Sequence, residues 1–130
     1  MIWVSAVILL ALLQYMIFGT FVALARGWYR VPAPACTGHP KFERWFRVHQ
    51  NSLELLMTFV PAMWLFGWWV SPTWAVAIGL VFVAARILYA VQYISEPATR
   101  RIGAAVSFLS LFVLIIGCLY GLVRLSLNPA

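Results

Sequence analysis

Three runs of this sequence hold no charged residue: Met1 to Ala25, Leu55 to Ala85 and Ile102 to Val123. A helix needs roughly 20 apolar residues to cross the hydrocarbon core, and lipid offers no partner to a free backbone polar group, so runs of this length favour membrane-spanning helices. The first and last runs fit one helix each. The middle run is too long for one span and is interrupted at Gly67 to Trp74, "GWWVSPTW", where Gly, Ser and Pro mark a turn and three tryptophans suit a headgroup-level belt. It reads as a hairpin between two helices. With polar flanks included, the expected helices cover about 2–25, 42–68, 73–95 and 99–125, giving a single all-α, four-helix integral membrane domain over residues 1–130.

Composition agrees with this reading. Only 9% of residues are charged, against about a quarter in a soluble domain. The N-terminal run has no basic leading segment and exceeds the usual ~7–15-residue core of a signal peptide, so it is expected to be retained as a helix. Basic residues cluster in the first connection (Arg26, Arg30, Lys41, Arg44) and the third (Arg100, Arg101), and are missing from the second. That bias puts the first and third connections in the cytoplasm and both termini on the opposite side. The net charge of +6 therefore belongs to helix ends and headgroup contact, and nucleic acid is not an expected partner. Trp3, Trp28, Tyr29, Trp45, Trp68, Trp69 and Trp74 lie near expected helix ends, as interfacial anchors do. Cys36 and Cys118 fall on opposite sides of the bilayer and are expected to be unpaired, and no metal-ligand cluster, phosphate loop or internal repeat is present in the sequence.

Against this apolar background the stretch "FERWFRVHQNSLELL" at 42 to 56 is unusual. At about 100° per residue, Glu43, Arg47, Gln50, Asn51, Glu54 and Thr58 fall within one arc of roughly 120°, while His49 lies nearly opposite. The third helix repeats the design in "ARILYAVQYISEP", with Arg86, Tyr89, Gln92, Tyr93 and Glu96 within a similar arc. A charge at the bilayer centre costs at least ~2.5–3.5 kcal/mol on insertion scales, so two polar stripes at one depth should face each other or a neighbouring subunit. An ion pair between Glu54 and Arg86 would account for part of the pattern. The stripes nevertheless hold more donors and acceptors than one pair uses, which points to a polar pocket open to the cytoplasm.

Together with "RVPAPACTGHPK" before it and "ARILYAVQYISEPATRR" after it, the run "FERWFRVHQNSLE" resembles the MAPEG family of membrane-associated proteins in eicosanoid and glutathione metabolism, in its leukotriene C4 synthase and microsomal glutathione transferase branch. The resemblance implies a homotrimer of four-helix subunits in a bacterial inner membrane, with glutathione bound between subunits near the cytoplasmic side. It further implies that Arg47, Asn51 and Glu54 hold the glutathione backbone, with Arg26, Arg30, His49, Arg86, Tyr89 and Tyr93 as further binding positions. Arg100 falls at the position of the arginine that activates the thiol, and Tyr93 is the next candidate as a hydroxyl donor to the sulfur. His49 stands where the leukotriene-forming members carry glutamine, Leu55 replaces a pocket tyrosine and Gly27 replaces an arginine; these departures argue against leukotriene production.

Physical chemistry fits those roles. Glutathione carries two carboxylates, an ammonium and a thiol, so its pocket needs cations, an acid and a positive group near sulfur. A thiol of pKa near 8.5 is mostly protonated at neutral pH, and an adjacent guanidinium favours the nucleophilic thiolate. The expectation is a membrane glutathione transferase acting on a lipophilic electrophile, with glutathione peroxidase activity toward hydroperoxides as a companion reaction. A non-catalytic lipid- or glutathione-binding scaffold and a small transporter are the alternatives. The transporter is disfavoured by the lack of a Gly- or Pro-interrupted inverted repeat.

Overall fold

The computed structural model describes residues 1–128, which form α1 (Ile2–Tyr29), α2 (Pro40–Trp69), α3 (Pro72–Ser95) and α4 (Arg101–Leu127), with a 3-10 turn at Pro97–Thr99 before α4. α1, α3 and α4 are long and apolar enough to cross a membrane. α2 is as long, but its N-terminal half carries the polar stripe and lowers its apolar character below theirs.

Local chemistry sets the helix ends. Pro40 and Pro72 open α2 and α3, where a residue without an N–H costs the helix nothing. His39 Nδ1 accepts from the Lys41 N–H at 3.2 Å, and Ser71 Oγ accepts from the Trp74 N–H at 3.4 Å, so each start has a side-chain cap. α1 runs one turn beyond the charge-free segment, through Arg26 to Tyr29. A cation in the last turn faces the negative end of the helix dipole, so Arg26 continues the helix instead of ending it. The break comes at Arg30, in the left-handed region at φ 54°, and the Val31 N–H closes on the Arg26 carbonyl at 3.0 Å.

The core is aliphatic and aromatic, with Val4, Phe59, Met63, Phe82 and Leu114 essentially inaccessible and the Phe59 and Phe82 rings stacked at 4.1 Å. The outside is equally apolar: Leu9, Met57 and Ile116 are 65%, 75% and 62% exposed. A surface of that kind is a lipid face, since a water-soluble monomer does not present such a continuous apolar patch. Buried Ser52, Ser107 and Ser110 each return their hydroxyl to the carbonyl four residues back, and so place no free donor in the core.

Two close approaches register the bundle. Met1 packs on Gly67, so the start of α1 meets the end of α2. At the opposite end, a Cβ on Gly103 would lie 2.5 Å from the Tyr89 backbone nitrogen. The α4 backbone rests directly on α3 there, just beyond the turn that holds Arg100.

Candidate functional site

A cavity of about 340 Å³ opens at this polar end. α2 contributes Arg47, Asn51 and Glu54 from successive turns of its stripe, α3 contributes Tyr89 and Tyr93, and Arg100 closes the side above Ala104 and Phe108 of α4. Residues from both stripes thus meet within one chain. Asn51 Nδ2 donates to Glu54 Oε2 at 3.4 Å, and the Tyr89 and Tyr93 rings lie 5.6 Å apart. The Arg100 guanidinium sits 5.2 Å from the Tyr93 ring centroid while its Nη1 donates to the Pro97 carbonyl at 3.0 Å. A second cavity of about 500 Å³ shares Arg47 and Tyr93 with the first and is lined also by Arg44, Glu43 and the exposed, free Cys36.

Other expected residues lie elsewhere. Arg86 is 2% exposed and turns inward: its Nη2 donates to Ser52 Oγ at 2.9 Å and its guanidinium covers the Tyr89 ring at 4.2 Å. Its Nε and Nη1 have no partner among the described residues, so the ion pair considered between Glu54 and Arg86 is not formed. The reason is angular. Ser52 and Glu54 are two residues apart on α2 and project to different sides, and the small Ser52 leaves the slot that Arg86 enters. His49 stacks on Tyr15 of α1 at 4.4 Å, with its ring against Gly19, on the side of α2 away from the cavity. Arg26 donates from Nη1 to the Ala35 carbonyl at 2.7 Å and covers Phe42, pinning the first connection, and Arg30 is the C-cap of α1. The structure does not bring these four residues to the cavity of their own chain.

Three further side chains tie this end of the bundle together: Arg44, expected only as a topology-setting cation, Gln92, expected only as part of the α3 stripe, and Thr99, for which no role was expected. Arg44 donates to the carbonyls of Ile94 and Ser95 at 2.9 and 3.1 Å, and Thr99 Oγ1 lies 2.8 Å from the Glu96 carbonyl and 3.2 Å from that of Gln92. Gln92 Oε1 accepts from the Gly103 N–H at 3.3 Å. A threonine two residues after a helix-ending proline is a local signal for such back-bonding. The long-range reach of Arg44 leaves no such trace in the sequence.

Chemically, the cavity offers two guanidinium groups for anions, one carboxylate for a cation, an amide, two phenols and an apolar floor. Farther along α2 and α4 lies a separate apolar groove of about 300 Å³, from Thr58 and Pro61 to Trp69 and Leu122. No group of three or more His, Cys, Asp or Glu able to hold a metal occurs among the described residues.

Comparison with known proteins matches this architecture to one family. The MAPEG family model covers residues 3–120. An uncharacterized protein of Synechocystis, sll1147, is 39% identical over 119 residues, 92% of this chain and 87% of its own length. Human microsomal glutathione S-transferase 2 is 41% identical over 98 residues, 75% of this chain and 66% of that protein. Bovine leukotriene C4 synthase is 32% identical over 111 residues, 85% of this chain and 74% of its own. With three helices apolar enough to cross a bilayer and a family match over nearly its whole length, the chain is an integral membrane protein and belongs to the MAPEG family.

Proposed function

We propose that the protein is a membrane glutathione transferase that conjugates glutathione to lipophilic electrophiles, with glutathione-dependent reduction of hydroperoxides as a second reaction of the same thiolate. The observation that carries this reading is the charge inventory of the cavity, where Arg47 and Glu54 of α2 and Arg100 line one space of about 340 Å³. Those groups complement the carboxylates, ammonium and thiol of glutathione. Relatives named glutathione S-transferase and leukotriene C4 synthase support the same chemistry.

In this mechanism Arg47, Asn51 and Glu54 hold the tripeptide and Arg100 approaches its sulfur. The thiol proton leaves to water, and the guanidinium stabilises the thiolate that remains. The thiolate attacks the electrophilic carbon, a carbon–sulfur bond forms and the leaving group departs with its electron pair. Toward a hydroperoxide, two glutathione molecules supply two electrons, giving an alcohol, water and glutathione disulfide. The separate apolar groove farther along α2 and α4 suits the hydrocarbon part of either substrate.

Arg26, Arg30 and His49 enter through assembly. In a homotrimer they would be presented to a neighbour's cavity, and Arg86 would support the pocket from behind Tyr89. α2 is read as the fourth span, with its polar stripe shielded by α3, α4 and the neighbour, and the first and third connections face the cytoplasm of a bacterial inner membrane. The deciding assay gives the purified protein glutathione and a model aryl halide. Saturable conjugate formation is the expected outcome; calorimetric glutathione binding without turnover would assign a binding scaffold, and the absence of both binding and turnover would refute the reading. Native mass spectrometry from mild detergent should give three chains, and monomers alone would overturn the trimer.

A further inference from the structure

We infer that Arg44 is a positioning residue: from α2 it fixes the corner between α3 and α4 and thereby sets where the Arg100 guanidinium points, an inference that rests on the glutathione reading above. The last carbonyls of a helix lack intrahelical partners and carry the negative end of its dipole. α3 has no basic residue in its own last turn. Arg44 supplies that cation from another helix, donating through Nη1 to the carbonyls of both Ile94 and Ser95 at 2.9 and 3.1 Å.

The chain just beyond is tied down in sequence. The Glu96 N–H closes on the Gln92 carbonyl at 2.9 Å, and the Thr99 N–H reaches the Glu96 carbonyl at 2.9 Å with the Thr99 hydroxyl on the same oxygen at 2.8 Å. The Gly103 N–H donates to Gln92 Oε1 at 3.3 Å, which fastens the start of α4 to the last turn of α3. Arg100 stands between these two fastenings, with Nη1 on the Pro97 carbonyl and its guanidinium over Tyr93. Loss of the Arg44 bonds frees the end of α3. The Pro97–Thr99 turn then moves relative to α2, and Arg100 moves with it, away from the Arg47, Asn51 and Glu54 that would hold the peptide.

Arg44 itself lines the adjoining cavity, so direct ligand contact is the rival role. The two roles separate experimentally. The charged and titratable groups that face the main cavity are Arg47 and Glu54 of α2, Tyr89 and Tyr93 of α3, and Arg100, and Arg44→Met alters none of them. A positioning residue changes the thiolate and spares affinity, whereas a ligand contact does the reverse.

Arg44→Met, Arg44→Lys and Thr99→Val are to be compared with the purified wild-type protein. Glutathione affinity is read by calorimetry, the bound thiolate by absorbance near 240 nm against pH, and the corner by hydrogen exchange at the Glu96, Thr99 and Gly103 amides. In Arg44→Met the thiolate fraction at pH 7 should fall about tenfold, with Kd moving less than about threefold and corner exchange faster. Lys should restore part of the thiolate, and Thr99→Val should lower it by about threefold, which keeps the test alive should Arg44→Met not fold. A tenfold rise in Kd with an unmoved titration would make Arg44 a ligand contact and overturn the inference. A lower melting temperature with an unmoved titration would leave it a merely structural residue and overturn it equally. If wild type shows no thiolate band, the glutathione reading itself fails; unchanged exchange at the corner in Arg44→Met would then refute the hold of Arg44 on the turn independently.

Discussion

Two guanidinium groups lie on tyrosine rings near the polar end of the bundle, Arg86 at 4.2 Å from the Tyr89 centroid and Arg100 at 5.2 Å from that of Tyr93. The local motif is nearly the same and the surroundings are not. Arg100 is exposed on a cavity wall, braced by the Pro97 carbonyl and set in a turn tied by Arg44, Thr99 and Gln92. Arg86 is 2% exposed among α1, α2 and α3, and among the described residues it has one hydrogen bond, to Ser52, and two nitrogens without a partner. A cation that meets an incoming anion works by being accessible and held still. A cation buried without an acid carries a desolvation cost, and what it contributes is contact between helices. Each arginine lies on a tyrosine of the same α3 stripe, so burial is what separates them.

The comparison breaks most readily at the cavity. Arg47→Ala or Glu54→Ala should weaken glutathione binding by ~2–5 kcal/mol if the complex excludes water, at least about thirtyfold in calorimetric Kd. Unchanged affinity in both, with the fold intact, would make the stripe purely structural. Arg100→Ala should instead leave Kd nearly unchanged and raise the pKa of the bound thiol toward its free value near 8.5. Since the thiolate is the reactive form, the loss is largest below the wild-type pKa, where a tenfold weaker thiol acid gives about tenfold less activity, and turnover should recover above about pH 9. A wild-type pH profile in this variant would return Arg100 to the status of a headgroup arginine and pass the thiol to Tyr93.

Gly103 tests how closely the Arg100 corner depends on packing. In Gly103→Ala the new methyl meets the Tyr89 backbone at 2.5 Å, and backbone cannot step aside as a side chain can. Overpacking of this kind costs typically ~1–3 kcal/mol, read as a lower melting temperature in detergent, and it should spread α4 from α3 and lower turnover at pH 7 along with stability. Stability lost without any change in the thiolate titration would show that Arg100 is placed by its own turn alone.

How far the sequence was readable follows from these same residues. Charge-free runs and the Gly67 to Trp74 punctuation were enough for four helices, because apolar length and turn chemistry are local properties. The helical wheel grouped Arg47, Asn51 and Glu54, and separately Tyr89 and Tyr93, and the structure gathers all five with Arg100 in one cavity. A wheel gives the angle about one axis and nothing of what stands at that angle. Arg86 therefore grouped with Tyr89 and Tyr93, although the slot beside Ser52 draws it inward. The hold of Arg44 on Ile94 and Ser95 spans two helices and was invisible for the same reason. The extension of α1 through Arg26 was hidden by using charge as a boundary, where a helix C-terminus in fact favours a cation.

The smallest expected effect is also the sharpest test of what Arg86 does. Methionine is shorter, ending about where Nε lies, but it is unbranched, flexible and uncharged, and it can fill most of the slot among Ser52, Phe82 and Tyr89 without new polar atoms. Arg86→Met gives up one charge-assisted bond to Ser52 and the contact with the Tyr89 ring, each about 1–3 kcal/mol at most. It also removes two buried donors that have no partner among the described residues, each costing about 1–3 kcal/mol, and Ser52 stays satisfied through its own bond to the Val48 carbonyl. Losses and gains nearly cancel, so the melting temperature in detergent should move by no more than a few degrees, in either direction, and glutathione affinity should hold within about threefold. Arg86→Ala, which leaves a larger void, should be clearly less stable than Arg86→Met. A steep loss of stability in the methionine variant would mean that the two free donors have a partner in the working protein. A steep loss of affinity with stability intact would mean that Arg86 reaches the ligand, and the division between the two arginines would then fall.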